Sequence, residues 1–145
     1  MVESCEICSG KADDLFKRVE IWSNERWRLT MTTYRALRAF CYLEPKKHIP
    51  HITDLKGTEA SEFGTVLSTV SNAIKNASGA KLVYVYIYGD HIPHLHVHLA
   101  PHFNGDFYVD DVIKSGVQID ESDFLDAKEL DLLSSKIKEK IDFDH

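Results

Sequence analysis

Three histidines alternate with apolar residues in His94-Leu95-His96-Val97-His98-Leu99-Ala100, bounded by Pro93 and Pro101, and five of the chain's eight histidines fall between residues 91 and 102. Eight histidines scattered over 145 residues would give that spacing at a given start about 2 × 10⁻⁴ of the time, or about 0.02 over all starts, so the row has a cause. Side chains at i, i+2 and i+4 of an extended strand share one face. His94, His96 and His98 are therefore expected in a row, with Leu95, Val97 and Leu99 behind them. One face is expected to do chemistry while the other seals a core.

Imidazole titrates near neutrality and serves as nucleophile, general acid, hydrogen-bond donor or metal ligand. Geometry narrows the choice. At roughly 3.3 Å per residue, His94 and His98 start about 13 Å apart along a strand, too far for all three rings to reach one zinc at about 2 Å without a bend. At most two neighbours can share a metal. A second constellation lies near the amino terminus, where Cys5-Glu6-Ile7-Cys8 has the two-residue gap that lets two thiolates reach one tetrahedral metal. A thioredoxin-like redox pair would open a helix after a strand, a context that residues 1 to 12 do not offer. A disulfide finds little support in a chain with three cysteines and no secretory leader. Cys41, inside Ala39-Phe40-Cys41-Tyr42-Leu43, reads as a small buried apolar residue.

The elements that must position these groups can be read from periodicity. At 145 residues and 43% hydrophobic, the chain fits one domain with one respectable core. Leu15 to Trp22, Arg26 to Thr32 and Arg38 to Leu43 read as strands of an antiparallel meander, with Ser23-Asn24-Glu25 as a turn. Thr58 is placed to cap a helix carrying Phe63, Val66, Leu67, Val70, Ala73 and Ile74 at helical spacing and ending near Asn76-Ala77-Ser78-Gly79. Val83 to Tyr88 is a β-rich run, and Gly89-Asp90 turns into the histidine strand. An acidic stretch with Asp106, Asp110 and Asp111 follows. A final helix is expected from about Ser122, with Phe124, Ala127, Leu130, Leu133, Ile137 and Ile141 on one stripe. The fold class is thus α+β: a five- to six-stranded, mainly antiparallel sheet, one central helix packed on it and a carboxy-terminal helix at its side. No apolar run approaches the roughly 20 residues a bilayer requires. The formal charge of −6 argues against an extended nucleic-acid surface. Together these point to a cytoplasmic protein acting on a small ligand, with Arg38, Lys46 and Lys47 available as local positive charge or as ordinary solvated residues.

The histidine row, followed by Pro101, resembles the His-x-His-x-His-x-x signature of the histidine triad (HIT) nucleotide hydrolases and transferases. Upstream, Pro45-Lys46-Lys47-His48-Ile49 and Asp54-Leu55 resemble that family's Pro-Lys-Arg-His and Asp-Leu stretches, so the likeness runs from Cys5 to about residue 102. The resemblance implies a HIT-like core over residues 5–102 with an extension over 103–145. It further implies a homodimer joined sheet edge to edge, and displacement at the α-phosphate of a nucleotide derivative. His96 would attack phosphorus, and His98 would hydrogen-bond the phosphate or departing oxygen. Some members of the family, and the related galactose-1-phosphate uridylyltransferases, carry zinc on such a Cys pair plus two histidines. The matching ligands here are Cys5, Cys8, His48 and His94, with His51 and His91 as nearby substitutes and a structural rather than chemical role for the metal.

Departures from the family pattern concern the ligand. The usual glycine-histidine stands as Ala39-Phe40, the ribose-binding aspartate as Thr32, the long loop before the triad as the short Gly89-Asp90-His91-Ile92-Pro93, and the arginine after proline as His102. Asp90, His91, His102 and Thr32 are accordingly the substrate-facing candidates, Asp90 having an Asx-turn role as its alternative. Two other readings remain at this point. One is a zinc-dependent hydrolase of another phosphate ester whose metal sits on the triad itself; the other is a HIT scaffold that binds a nucleotide or a protein without turnover.

Overall fold

The computed structural model describes residues 4–103 and 123–143. A short helix α1 (Lys11–Leu15) leads into β1 (Arg18–Ser23) and β2 (Trp27–Thr32), then β3 (Cys41–Pro45), the long helix α2 (Gly57–Ser78), β4 (Leu82–Ile87), β5 (Val97–His102) and helix α3 (Ala127–Glu139). The strands form one five-stranded sheet in the order β1-β2-β3-β5-β4, every neighbouring pair antiparallel. The architecture is the expected α+β one, and no described helix is long and apolar enough to cross a membrane.

Alternation sorts the sheet into two faces. On one face Trp27, Leu29, Met31, Cys41, Leu43, Val97 and Leu99 are fully buried and pack with Val66, Val70, Ala73, Ile74 and Ala77 of α2 and with Leu133 and Ile137 of α3. On the other, Thr30, Tyr42, His98 and Tyr86 stand in cross-strand register along β2, β3, β5 and β4. The β1–β2 turn closes because the Asn24 side-chain oxygen accepts the N–H groups of Arg26 (3.0 Å) and Trp27 (2.8 Å), an Asx turn that fixes the hairpin register.

Local chemistry moves several boundaries from their expected places. The first strand begins at Arg18, not Leu15, because Lys11–Leu15 is helical and Lys17 reverses the chain at φ 49°. The third begins at Cys41, after a 3₁₀ turn at Arg35–Leu37 and a left-handed Ala39 at φ 61°. That conformation favours glycine, the residue the family pattern carries there. Thr58 does not cap α2: Lys56 holds the N-cap position without a side-chain bond, and the helix closes at a left-handed Gly79. Helix α3 starts later than Ser122, which with Asp106, Asp110 and Asp111 lies outside the described residues. Asp126 caps it, accepting the Glu129 N–H at 2.8 Å while Glu129 accepts the Asp126 N–H at 3.0 Å. Phe124 instead bridges to Tyr34, the two rings stacked at 5.2 Å.

The largest correction concerns the histidines. β5 begins at Val97, so His94 and His96 sit on the bend before the strand and the three rings do not form one row. Leu95, Val97 and Leu99 nonetheless bury together on the core side.

Candidate functional site

Residues 5–8 fold into a tight knuckle: Ser9 N–H donates to Cys5 C=O (2.9 Å) and Cys8 N–H donates to Cys5 Sγ (3.3 Å). Ile7 and Ala12 pack this knuckle against Ile92. On the opposite wall, Leu95 N–H donates to Ile49 C=O (2.7 Å), which lays the His48 segment against the bend carrying His94. The ligand atoms of Cys5, Cys8, His48 and His94 consequently all lie within 4.8 Å of one another. The Sγ to Nδ1 separations are 3.6 Å for Cys5–His94, 3.3 Å for Cys8–His48 and 3.5 Å for Cys8–His94.

A tetrahedral zinc with sulfur at about 2.3 Å and nitrogen at about 2.05 Å requires S···N edges of about 3.6 Å, so the donor set fits that metal. The protonation chemistry fits as well. His94 Nε2–H donates to Pro45 C=O (2.8 Å), fixing the tautomer that leaves Nδ1 bare toward the sulfurs, and burial pushes the His94 pKa down, toward the neutral ligating form. Burial raises the Cys5 thiol above its ordinary value, so a cation beside it is what would favour its thiolate, the ligating form.

His96 and His98 face a different space. A cavity of about 410 Å³ is lined by Glu6, Phe16, Tyr42, Tyr88, Asp90, His91, Ile92, His96 and His98. His96 Nδ1–H donates to the backbone carbonyl of His94 at 2.6 Å, so in the neutral ring Nε2 is the nitrogen with the lone pair. His98 Nδ1–H donates to Tyr86 C=O (3.3 Å). The His98 ring stacks on Tyr86 at 4.8 Å and meets Tyr42 at 5.2 Å and Phe40 at 6.1 Å. This aromatic enclosure desolvates His98, and with the adjacent His96 it pushes the pKa down to about 4, against the Tyr86 bond that favours the charged form. His98 is neutral at pH 7.

Of the residues singled out in the sequence, Asp90 and His91 reach this cavity beside His96 and His98, while Cys5, Cys8, His48 and His94 form the separate cluster. Thr32 does not come to the cavity: it is buried, its hydroxyl donating to the Phe16 (3.3 Å) and Lys17 (3.5 Å) carbonyls. His102 sits at the far end of β5, its ring 6.1 Å from that of Tyr84, and does not line the cavity. His51 is not a cluster ligand; its Nε2 lies 3.3 Å from Gly89 C=O, and a side chain at Gly89 would put its Cβ 2.9 Å from the His51 ring. Arg38 donates to the Ser78 carbonyl (3.0 Å), away from the cavity. Sequence reasoning missed Glu6, Phe16, Tyr42, Tyr88 and Ile92 as lining groups. For Tyr42 a signal existed, since its strand faces the histidines once strand pairing is known.

The bend, the sheet and the two sites together define a class. No protein-family model matches the chain. It is 30% identical over 105 residues to the bifunctional bis(5'-adenosyl)-triphosphatase/adenylylsulfatase FHIT of Arabidopsis thaliana, an alignment covering 69% of this chain and 51% of that one. The chain thus spans about half the length of that curated relative. Among solved structures, a histidine triad protein from Bradyrhizobium japonicum superposes with a TM-score of 0.74 at 21% identity, covering 86% of this chain and 91% of that one. A zinc-bound histidine triad family protein from Mycobacterium smegmatis superposes with a TM-score of 0.66 at 18% identity, covering 94% of each. The chain belongs to the histidine triad family.

Proposed function

We propose that the protein is a nucleotide phosphohydrolase or nucleotidyltransferase that acts through a nucleotidyl-histidine on His96. The observation that carries this reading is the 2.6 Å bond from His96 Nδ1–H to the His94 carbonyl on a ring that lines the cavity, because it dedicates Nε2 to acting as a nucleophile. Nε2 attacks the α-phosphorus of a nucleotide derivative such as a dinucleoside polyphosphate or nucleoside phosphoramidate. A P–N bond forms as the bond to the leaving oxygen or nitrogen breaks, and the leaving group departs with the electron pair. Water or a second acceptor then attacks phosphorus, the P–N bond returns its electrons to Nε2, and the acceptor's proton passes to solvent. His98, neutral in the free protein with its proton on Nδ1, donates to a phosphate oxygen only after taking up a second proton, which an anionic phosphate beside it favours. Asp90 and His91 contact the substrate from the short loop at the cavity rim.

Cys5, Cys8, His48 and His94 would hold a structural zinc, whose chemistry is to cross-link the amino-terminal knuckle, the His48 segment and the bend before β5. The bis(5'-adenosyl)-triphosphatase and adenylylsulfatase activities named for the Arabidopsis relative, and the zinc bound by the mycobacterial protein, support this reading for the present chain. The His94 ring, committed to the Cys pair, disfavours a metal shared across the triad. A homodimer through the outer edge of β4, where Tyr84 and Val85 are exposed, completes the proposal. Its test is a turnover screen of AMP- and GMP-linked leaving groups with acid-quenched intact-mass detection. A covalent nucleotide adduct is expected on the unaltered chain and none on His96→Ala; turnover by His96→Ala would contradict the assignment.

A further inference from the structure

The Arg18 side chain on β1 is fully shielded from solvent and lines neither the cavity nor the metal cluster. Its terminal nitrogens donate in parallel to the two oxygens of Glu44, each at 3.0 Å, and Nε donates to Asp13 at 2.9 Å. Arg28 shares both carboxylates, bonding Glu44 at 2.9 Å and also pairing with Asp13. The Arg18 guanidinium carbon lies 5.4 Å from the centre of the Phe16 ring and 5.2 Å from that of Tyr42. Those rings stack on each other at 5.4 Å and 17°. Phe16 comes within 6.4 Å of the His96 ring, and Tyr42 within 5.2 Å of the His98 ring.

Stability alone is a poor reason for this arrangement, because burying two charges costs several kcal/mol per ion and apolar residues of like volume are often as stable. A forked guanidinium with three bonds supplies orientation instead. The two rings belong to different elements, Phe16 following α1 and Tyr42 on β3. Each of those elements also supplies one of the clamping carboxylates, Asp13 from α1 and Glu44 from β3. One cation therefore ties both backbones and draws both ring faces to itself.

We propose that Arg18 is a positioning residue of the cavity: its clamped guanidinium fixes the Phe16–Tyr42 stack, whose cavity side is the aromatic wall on which the planar base of a nucleotide lies beside His96. The proposal rests on the nucleotide reading above and adds that base recognition, rather than phosphate recognition, runs through Arg18. The experiment compares binding of AMP with binding of ribose 5-phosphate, which lacks the base, by titration calorimetry on the zinc-loaded protein. Arg18→Lys keeps the charge and loses the fork, while Phe16→Leu leaves the ion network untouched and removes one ring. Each variant is expected to weaken AMP about tenfold, the low end of what one base–aromatic stack is worth, and ribose 5-phosphate less than about twofold. The double variant is expected to be no weaker than about the worse single one, because both changes remove the same wall. Equal loss of both ligands in Arg18→Lys, or single effects that multiply in the double variant, would overturn the proposal. Failure of the unaltered chain to bind AMP would overturn the nucleotide reading and this inference with it, a result separable from the first two because it needs no variant.

Discussion

The Cys5-Cys8-His48-His94 cluster and the histidine cavity lie on either side of the segment from His94 to His98, and they are held by different means. The cluster draws its four ligands from three segments far apart in sequence, residues 5–8, 48 and 94, and the His94 ring is fixed at both nitrogens. The cavity histidines are oriented by backbone carbonyls, His96 by the carbonyl two residues before it and His98 by the paired strand at Tyr86, and each keeps a ring nitrogen outside those bonds. A site that must stay closed uses its donors up. On the proposed roles, a site that reacts leaves one unspent, and a two-residue offset along the chain separates it from the cluster.

The sharpest break in that comparison is His96→Ala. It is expected to lower turnover by roughly 10⁴-fold or more while keeping folding stability within about 2 kcal/mol, since no ligand of the cluster is removed. Rates and melting curves measured on the same preparation check it. Cys8→Ala is expected to act in the opposite sense. Metal is lost, and thermal unfolding at fixed protein concentration moves down by about 10 °C, because metal affinity is folding free energy here and about 1 kcal/mol moves a chain of this size by roughly 2–4 °C.

A smaller effect sharpens the cavity side. His98 titrates at about 4 in the folded chain, below the ordinary histidine value of 6.5, because its aromatic cage withholds water. The unfolded chain binds that proton first as pH falls, so the contribution is complete above about pH 6.5 and is lost as pH drops toward 4, up to about 3 kcal/mol in all. Urea unfolding from pH 7 to pH 4 is expected to show a shallower decline in His98→Gln than in the unaltered chain. The smallest effect tests the frame: Asp126→Ala removes a real cap and costs about 1 kcal/mol, whereas Thr58→Ala costs less than about 0.5 kcal/mol. Paired urea midpoints distinguish them.

Much of this is legible in the chain before it folds. Alternation places Leu95, Val97 and Leu99 on a buried face, helical spacing marks the stripe from Val66 to Ile74, and the Cys-x-x-Cys gap marks half a metal site. The misplaced elements have local reasons. A period of two cannot show that a strand begins at Val97 rather than His94, because the bend is set by Leu95 N–H bonding to Ile49, a contact distant in sequence. Thr58 looks like a cap because capping residues are common one turn before apolar runs, but the backbone enters the helix two residues earlier, with Lys56 at the N-cap position and Gly57 the first helical residue. The ion network around Arg18 leaves no trace in the sequence at all. Its members, Asp13, Arg18, Arg28 and Glu44, are spaced by strand pairing and read singly as surface charge.

The division of labour between His94 and His96 is the claim on which the rest depends, and metal content tests it most directly. Zinc per chain, measured by plasma mass spectrometry on His94→Ala and His96→Ala purified identically, is expected to be lost from the first and retained at about one per chain in the second. Loss of zinc from both, or its retention in Cys5→Ala, would place the metal on the triad and contradict the account.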